Sequence, residues 1–287
     1  MSIITRHFFL PTLVLVLSTH FATAIQAAET LTFGIHPYKS PQKLIKIYQP
    51  LANIIEKTIK RPVKIVIAKD YSTHIDNIGK DKIDFAYLGP ASYVKMVEKF
   101  GQKRILARQA INSKPTFQGK IIARTRGTIS SLTDLKNKRF AFGDPNSTMS
   151  HLVPRFMLIE KNITAKTLEN FDFLGSHDNV ALSVLSGDYH AGAVKEAVFH
   201  KYESRGIKAI ATTPALSEHL FVAGNHLSDN LVSQLKQTLL KLNKTTNGKK
   251  AMKSIKKTMT SMMPATDSDY NNLRTILNTL KENKVIK

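Results

Sequence analysis

The sequence predicts an α/β protein made of two sheet-and-helix units joined by two extended crossings. Three observations predict it. Short apolar runs with strand period alternate with longer runs at helical spacing. The alternation passes through one set of elements and restarts near residue 130. Two further extended runs, Lys120-Ile121-Ile122-Ala123-Arg124 and Leu220-Phe221-Val222-Ala223, stand one at each border of the second set.

In the first unit, Leu31-Thr32-Phe33-Gly34-Ile35 alternates at period two, and Val63 to Ala68 is mostly β-branched and apolar. Between them Leu44, Ile47, Tyr48, Leu51, Ile54, Ile55 and Ile59 form an apolar stripe at helical spacing. Ser72 to Gly79 reads as a short helix capped by Ser72 or Thr73, followed by a third strand-like run from Ile83 to Leu88. Strand-helix-strand repetition of this kind implies a parallel sheet covered by helices. In the second unit Ser131 to Leu135 reads as a short helix. Strands follow at 139–142, 170–174, 189–194 and 207–212, separated by helical stripes at 152–161 and 178–186. From Leu231 onward the chain reads as helical and lysine-rich, with Leu235, Leu239, Leu240 and Leu242 inward. These runs place lobe 1 at residues 29–118, lobe 2 at 119–222, and a return to lobe 1 over 223–287, with crossings near 118–124 and 213–223.

A chain of 287 residues with 42% apolar content can bury a real core. Its net charge of +21 favours an anionic partner. The first 28 residues have a short basic start (Arg6, His7), an apolar stretch from Phe8 to Leu17 and a small-residue end at Ala22-Thr23-Ala24 and Ala27-Ala28. That layout is a secretory signal peptide, too short in its apolar part for a spanning helix, and predicts export to the periplasm. There is no cysteine, so neither a disulfide nor a lipid-attachment thiol is expected. Export, and the lack of aromatics interleaved with basic residues, argue against a nucleic-acid partner.

Ligands of open parallel sheets sit beyond the carboxyl ends of the strands, where helix N-termini point. The turns at those ends are HPYKSP (36–41), AKDYSTH (68–74), YLGPASY (87–93), GDPNSTMSH (143–151) and LGSHDNV (174–180). All are rich in Ser, Thr, Tyr or His, and most open a helix. Free backbone N–H groups and the positive end of the helix dipole favour an anion there. Ser147 and Thr148 add hydroxyl donors. His177 adds an imidazole N–H, with binding stronger at lower pH if the imidazolium is the donor, and the following Asp178 is a candidate helix cap. Taken singly, a serine or threonine here is an N-cap, a lone histidine is a structural donor and Tyr71 is a core tyrosine; their convergence on one cleft points to a small oxyanion.

FGDPNSTMSHLVPR resembles the GDPxSTSGxLxP motif of the phosphate/phosphite/phosphonate ABC-transporter substrate-binding proteins. LTFGI, YQPLANIIE, AKDYSTHIDNI, KIDFAYLGPASY, SLTDLKNKRFAFGDP and GSHDNVALSVLSGDYHAGAV are similar to that family's blocks, in its order, from about residue 31 to 223. The resemblance implies a type II periplasmic binding fold with two hinge crossings and a phosphorus oxyanion held between the lobes. It implies as ligand contacts Ser147 and Thr148, the main chain of Met149 and Ser150, His177 and Tyr71. The sequence departs from the pattern at Met149 (serine in the motif), Ser150 (glycine), Phe117 (a tyrosine in some members), His190 (usually aspartate) and His219 (an acidic residue in aminoalkylphosphonate binders).

The expected function is therefore a non-catalytic, monomeric receptor, without cofactor, that delivers an oxyanion to an ABC permease. The alternative is a sensory protein of the same fold docking on a membrane sensor kinase. A hydrolase using Ser147 or Ser150 with His177 and Asp178 is disfavoured, because no Gly-x-Ser-x-Gly elbow is present and adjacent side chains diverge on a helix start. A metal receptor is disfavoured because the histidines lack ligand spacing. A cationic aminoalkyl tail needs a buried carboxylate. Phe117 and His219 supply none, although Glu196 and Glu218 are close in sequence, so a compact ligand such as phosphate, phosphite or methylphosphonate is expected to bind better than aminoethylphosphonate.

Overall fold

The computed structural model describes residues 29–286; the expected signal peptide, residues 1–28, lies outside them. Two principal sheets organise the chain, with a short ribbon between them. The first is built by β1 (Leu31–Ile35), α1 (Pro41–Ile59), β2 (Val63–Ile67), α2 (Tyr71–Gly79), β3 (Phe85–Leu88), α3 (Pro90–Phe100) and β4 (Arg104–Ile111). The chain then passes through β5 (Thr116–Phe117) into the second sheet. That unit comprises β6 (Gly119–Arg124), β7 (Arg139–Phe142), α4 (Val153–Ile159), β8 (Asn170–Phe173), α5 (His177–Ser186), β9 (Ala191–Lys195), α6 (Glu196–Tyr202) and β10 (Ile207–Thr212). It returns through β11 (Leu216–Ser217) to β12 (Leu220–Ala223), α7 (Asp229–Leu240), α8 (Thr246–Ile255), β13 (Met259–Met263) and α9 (Asn271–Glu282).

The first sheet has the order β13-β4-β12-β3-β1-β2 and the second β10-β6-β9-β7-β8. Parallel pairing is confined to β2-β1-β3 and to β8-β7-β9; the other strands run antiparallel to their neighbours. Both sheets are thus mixed rather than parallel throughout. The two extended runs read as crossings, 120–124 and 220–223, are internal strands of the two sheets. The connection between sheets is the antiparallel ribbon of β5 and β11, where Phe117 faces Leu216 and Thr116 faces Ser217. The C-terminal stretch also departs from an all-helical reading, since β13 adds the edge strand beside β4.

Each sheet is covered on both faces, which explains why its central strands are apolar without alternation. All four residues of β3 are buried, as are all four of β12. On one face of the first sheet α1 buries Leu44, Tyr48, Leu51, Ala52, Ile55 and Ile59 against Phe33 and Phe85, whose rings stack at 4.5 Å. Each such large apolar side chain contributes about 1.5–3 kcal/mol on burial. The other face packs α2, α3 and α9, and its core continues into the second unit through Met149, Leu152 and Val153. Phe140, Phe142 and Leu158 fill one side of the second sheet, and Val180, Val184 and Phe199 the other.

Two caps differ from the sequence reading. Asp70, not Ser72 or Thr73, caps α2, its carboxylate accepting from the Thr73 amide at 2.7 Å. Ser176, not Asp178, caps α5, accepting from the Asn179 amide at 3.1 Å. In both places the capping oxygen belongs to the extended residue just outside the helix, three before the amide that it satisfies.

Candidate functional site

A cleft of about 820 Å³ lies between the two sheets, lined from both. The carboxyl ends of β1, β3 and β7, and the helix starts at Tyr71 and His177, open onto it, together with Lys195 at the end of β9. Short polar turns at those ends put donors where two sheets face each other.

The turn after β7 is tightly built. Ser147 is extended, and residues Thr148–Leu152 form a single π-helical turn before α4. The wide turn closes through Leu152 N–H donating to the Ser147 carbonyl at 3.0 Å. Ser147 Oγ caps it by accepting from the Ser150 amide at 3.2 Å. Its own O–H remains free to donate into the cleft, so capping and ligand binding are compatible roles of one hydroxyl. Thr148 Oγ1 accepts from the Ala91 amide at 3.1 Å, in the first turn of α3, and so touches the opposite sheet's unit. Its proton too is left to donate. Met149 turns its side chain inward, with the Thr213 hydroxyl donating to its sulfur at 3.3 Å. Ser150 is fully buried: its hydroxyl donates to the Ala193 carbonyl at 2.5 Å and its amide to Ser147. Of the four consecutive candidates, Ser147, Thr148 and Met149 border the cleft and Ser150 braces the turn from behind.

His177 opens α5 at the other sheet-end turn. Its Nδ1 accepts from the Lys195 amide at 3.1 Å, which places the proton on Nε2. Burial, then the charge of Lys195, holds its pKa well below the usual histidine value. The ring thus stands as a neutral imidazole with its Nε2–H available, the form opposite to the imidazolium on which stronger binding at low pH would depend. Asp178 is turned to Lys201 and to the Tyr202 hydroxyl, at 2.9 Å from the latter, and does not orient His177. No nucleophile–base–orienter arrangement is formed there. Tyr71 comes from the first sheet's side, buried with its ring 3.9 Å from that of His36. Burial and the nearby Asp144 push its hydroxyl up, so it stays protonated. Among the described residues that hydroxyl makes no side-chain hydrogen bond, and it borders the cleft.

Several residues that sequence reasoning did not single out complete the site. His36 follows β1; it is 3% exposed, its Nδ1 has no partner among the described residues, and burial, then His74, pushes its pKa well down. Ser92, in the first turn of α3, is 1% exposed and its Oγ is likewise unpartnered. Buried polar atoms without partners are rare and call for a ligand or water. Both lie in turns already recognised as strand ends, and position alone was their signal. Lys195, Lys39 and Lys256 bring ammonium groups to the cleft. Glu218 is 1% exposed, accepting from Gln109 Nε2 at 2.7 Å and, at 2.9 Å, pairing with His219 Nδ1. Burial raises its pKa, but the His219 bond, the Lys256 charge at 3.7 Å and Gln109 outweigh this and hold it at about 2. Glu196, the other acid close in sequence, is drawn to Lys120 at 3.2 Å. Phe117 sits edge-on to His219 at 5.2 Å. Among the described residues no group of three or more His, Cys, Asp or Glu side chains is placed to hold a metal ion.

The model of one family, the periplasmic substrate-binding protein of phosphonate ABC transporters, matches residues 33–270. The phosphate-import protein PhnD of Mycolicibacterium smegmatis is 27% identical over 232 residues, covering 75% of this chain and 72% of that protein. The phosphonates-binding periplasmic protein of Escherichia coli is 30% identical over 168 residues, covering 57% and 49%. Among solved structures, PhnD1 of Prochlorococcus marinus in complex with methylphosphonate superposes with a TM-score of 0.80 at 22% identity, covering 90% of this chain and 99% of that one. A binding component of an ABC phosphonate transporter from Pseudomonas aeruginosa gives 0.77 at 24%, covering 87% and 85%. The fold is that of the type II periplasmic binding proteins. Matched from β1 to just before α9, the chain belongs to the phosphonate ABC-transporter periplasmic substrate-binding family.

Proposed function

We propose that the protein is a periplasmic, monomeric receptor that closes on a small phosphorus oxyanion and presents it to an ABC permease. One observation carries the reading. Six uncharged donor groups border the cleft from both sides: Tyr71, His36 and Ser92 from the first unit, and Ser147, Thr148 and His177 from the second. The chemistry is that of a site for a tetrahedral anion, which accepts in every direction and is held by charge-assisted hydrogen bonds. The ribbon of β5 and β11 serves as the hinge, which puts the lobe boundaries near residues 116–118 and 216–219 rather than in the strands beside them. Export by residues 1–28 belongs to the same proposal, and the family's relatives carry periplasmic and import functions in their names.

Calorimetric titration of phosphate-stripped protein with phosphate, phosphite, methylphosphonate, aminoethylphosphonate and sulfate tests it. The three phosphorus compounds without an amine are expected to bind, and aminoethylphosphonate more weakly. Heat from sulfate alone, or from none of the five, would overturn the assignment.

A further inference from the structure

We propose that the ligand carries a second anionic group at the end of its tail, and that Lys195 is the residue that selects it. The inference deepens the oxyanion reading above and rests on it.

Lys195 ends β9, and its amide holds Nδ1 of His177 at 3.1 Å. Its backbone is therefore fixed next to the oxyanion donors, while its side chain crosses toward the first unit. There its ammonium lies 5.1 Å from the centre of the Tyr38 ring. The Lys39 ammonium lies 5.7 Å from the same ring. Two like charges from opposite units thus approach one phenol ring at the cleft, with Lys256 also lining it.

None of the described carboxylates of this region pairs with Lys195 or Lys39. Asp178 pairs with Lys201 and Glu196 with Lys120, while Glu218 is bonded through Oε2 to His219 and Gln109 and keeps Oε1 without a hydrogen bond among the described residues, the Lys256 ammonium lying 3.7 Å from it. Among the described residues no carboxylate oxygen lies within 4.0 Å of the Lys195 or Lys39 ammonium. The cation–π contact offsets only part of the lost hydration. Burial, then the charges of Lys39 and Lys256, presses Lys195 down to about 8, against a smaller opposing pull from Glu218 and Asp178. An unpaired ammonium in a closing cleft is unfavourable until an anion arrives.

A tail therefore meets surplus positive charge. Methyl or alkyl leaves both ammoniums unpaired, and an aminoalkyl group adds another cation beside them. A carboxylate answers the charge and can accept from the Lys195 ammonium. Space permits it: at about 30 Å³ for each water-sized group, a five-atom oxyanion fills on the order of 100–150 Å³, against about 820 Å³ in the cleft. The ligand class is an alkylphosphonate ending in a carboxylate.

The test compares propylphosphonate with 3-phosphonopropionate, which share a chain length and differ in the charge of the last group. Both are titrated calorimetrically into the phosphate-stripped protein and into Lys195→Met, with methylphosphonate as a reference. The wild-type protein is expected to bind 3-phosphonopropionate about tenfold or more tighter than propylphosphonate, the worth of one charge-assisted bond. In Lys195→Met that preference should shrink to about threefold or less. Equal or tighter binding of propylphosphonate by the wild type overturns the inference, and that measurement needs no variant to fold. A preference that survives Lys195→Met, both affinities falling together, overturns it too, and places Lys195 at the oxyanion end. Binding of methylphosphonate with no preference between the other two sinks this inference alone; binding of no phosphonate sinks the oxyanion reading with it.

Discussion

Ser147 and Thr148 each do two things with one oxygen: the lone pair accepts from a backbone amide, and the proton is left for the ligand. Removing both hydroxyls by Ser147→Ala and Thr148→Val should therefore cost several kcal/mol of binding, at about 1.5–3 kcal/mol for each bond to a charged acceptor. Loss of the Ser147 cap should also lower stability by about 1 kcal/mol. Calorimetry and thermal melts separate the two effects; unchanged affinity in the double variant would put the oxyanion elsewhere. His177 predicts a pH profile. Its Nδ1 is occupied by the Lys195 amide and its pKa is held well below the usual value, so protonation would have to break that bond. The ratio of dissociation constants for His177→Ala and wild type should stay flat from about pH 6 to about pH 8. A ratio that climbs as pH falls would show an imidazolium donor after all. The hydroxyl pair and this histidine stand out in the sequence because they cluster at strand-end turns. His36 and Ser92 lie in such turns too, but only burial without a partner singles them out, and the half-buried Lys195 is placed by β9 alone; both are properties of the folded chain.

At the scale of elements, the parallel strands and their polar turns are legible because burial on two faces writes continuous apolar runs, and helix starts demand capping residues. The antiparallel additions are not. β13 (Met-Thr-Ser-Met-Met) follows a lysine-rich helix and contains good helix formers; it is a strand because β4 offers an open edge to pair with. The extended run at 220–223 is legible as a strand but not as a central one, since its place between β3 and β4 depends on pairings far apart in sequence. The π-helical turn at 148–152 is likewise set by tertiary packing, and Gly143 is part of that packing. A Cβ on Gly143 would come within 2.4 Å of Ser150 Oγ, the group that braces the turn against β9. Gly143→Ala should push the turn off Ala193, destabilising the protein by about 1–3 kcal/mol as other overpacked sites do, and weakening oxyanion binding. Thermal melts and titration with methylphosphonate check both halves; a variant as stable and as tight-binding as wild type would show that the turn tolerates the shift.

For the whole molecule, the excess of basic over acidic residues, 42 against 21, has a consequence that is separate from affinity. Contacts inside a closed cleft are shielded from solvent, so salt screens them weakly. The approach of an anion from bulk water is screened fully, over a Debye length of about 8–10 Å at physiological ionic strength. Lys39, Lys114, Lys201 and Lys256 border the cleft, so the positive field is present where the ligand enters. Electrostatic steering acts on the encounter rate, whereas the hydrogen bonds at Ser147, Thr148 and His177 act on escape. Stopped-flow measurement with methylphosphonate, from roughly 0.02 M to roughly 0.3 M salt, should show the association rate falling several-fold while the dissociation rate changes little. The opposite pattern, a constant association rate with dissociation quickening in salt, would mean that the charge acts within the bound complex and that the cleft stays open to ions when filled.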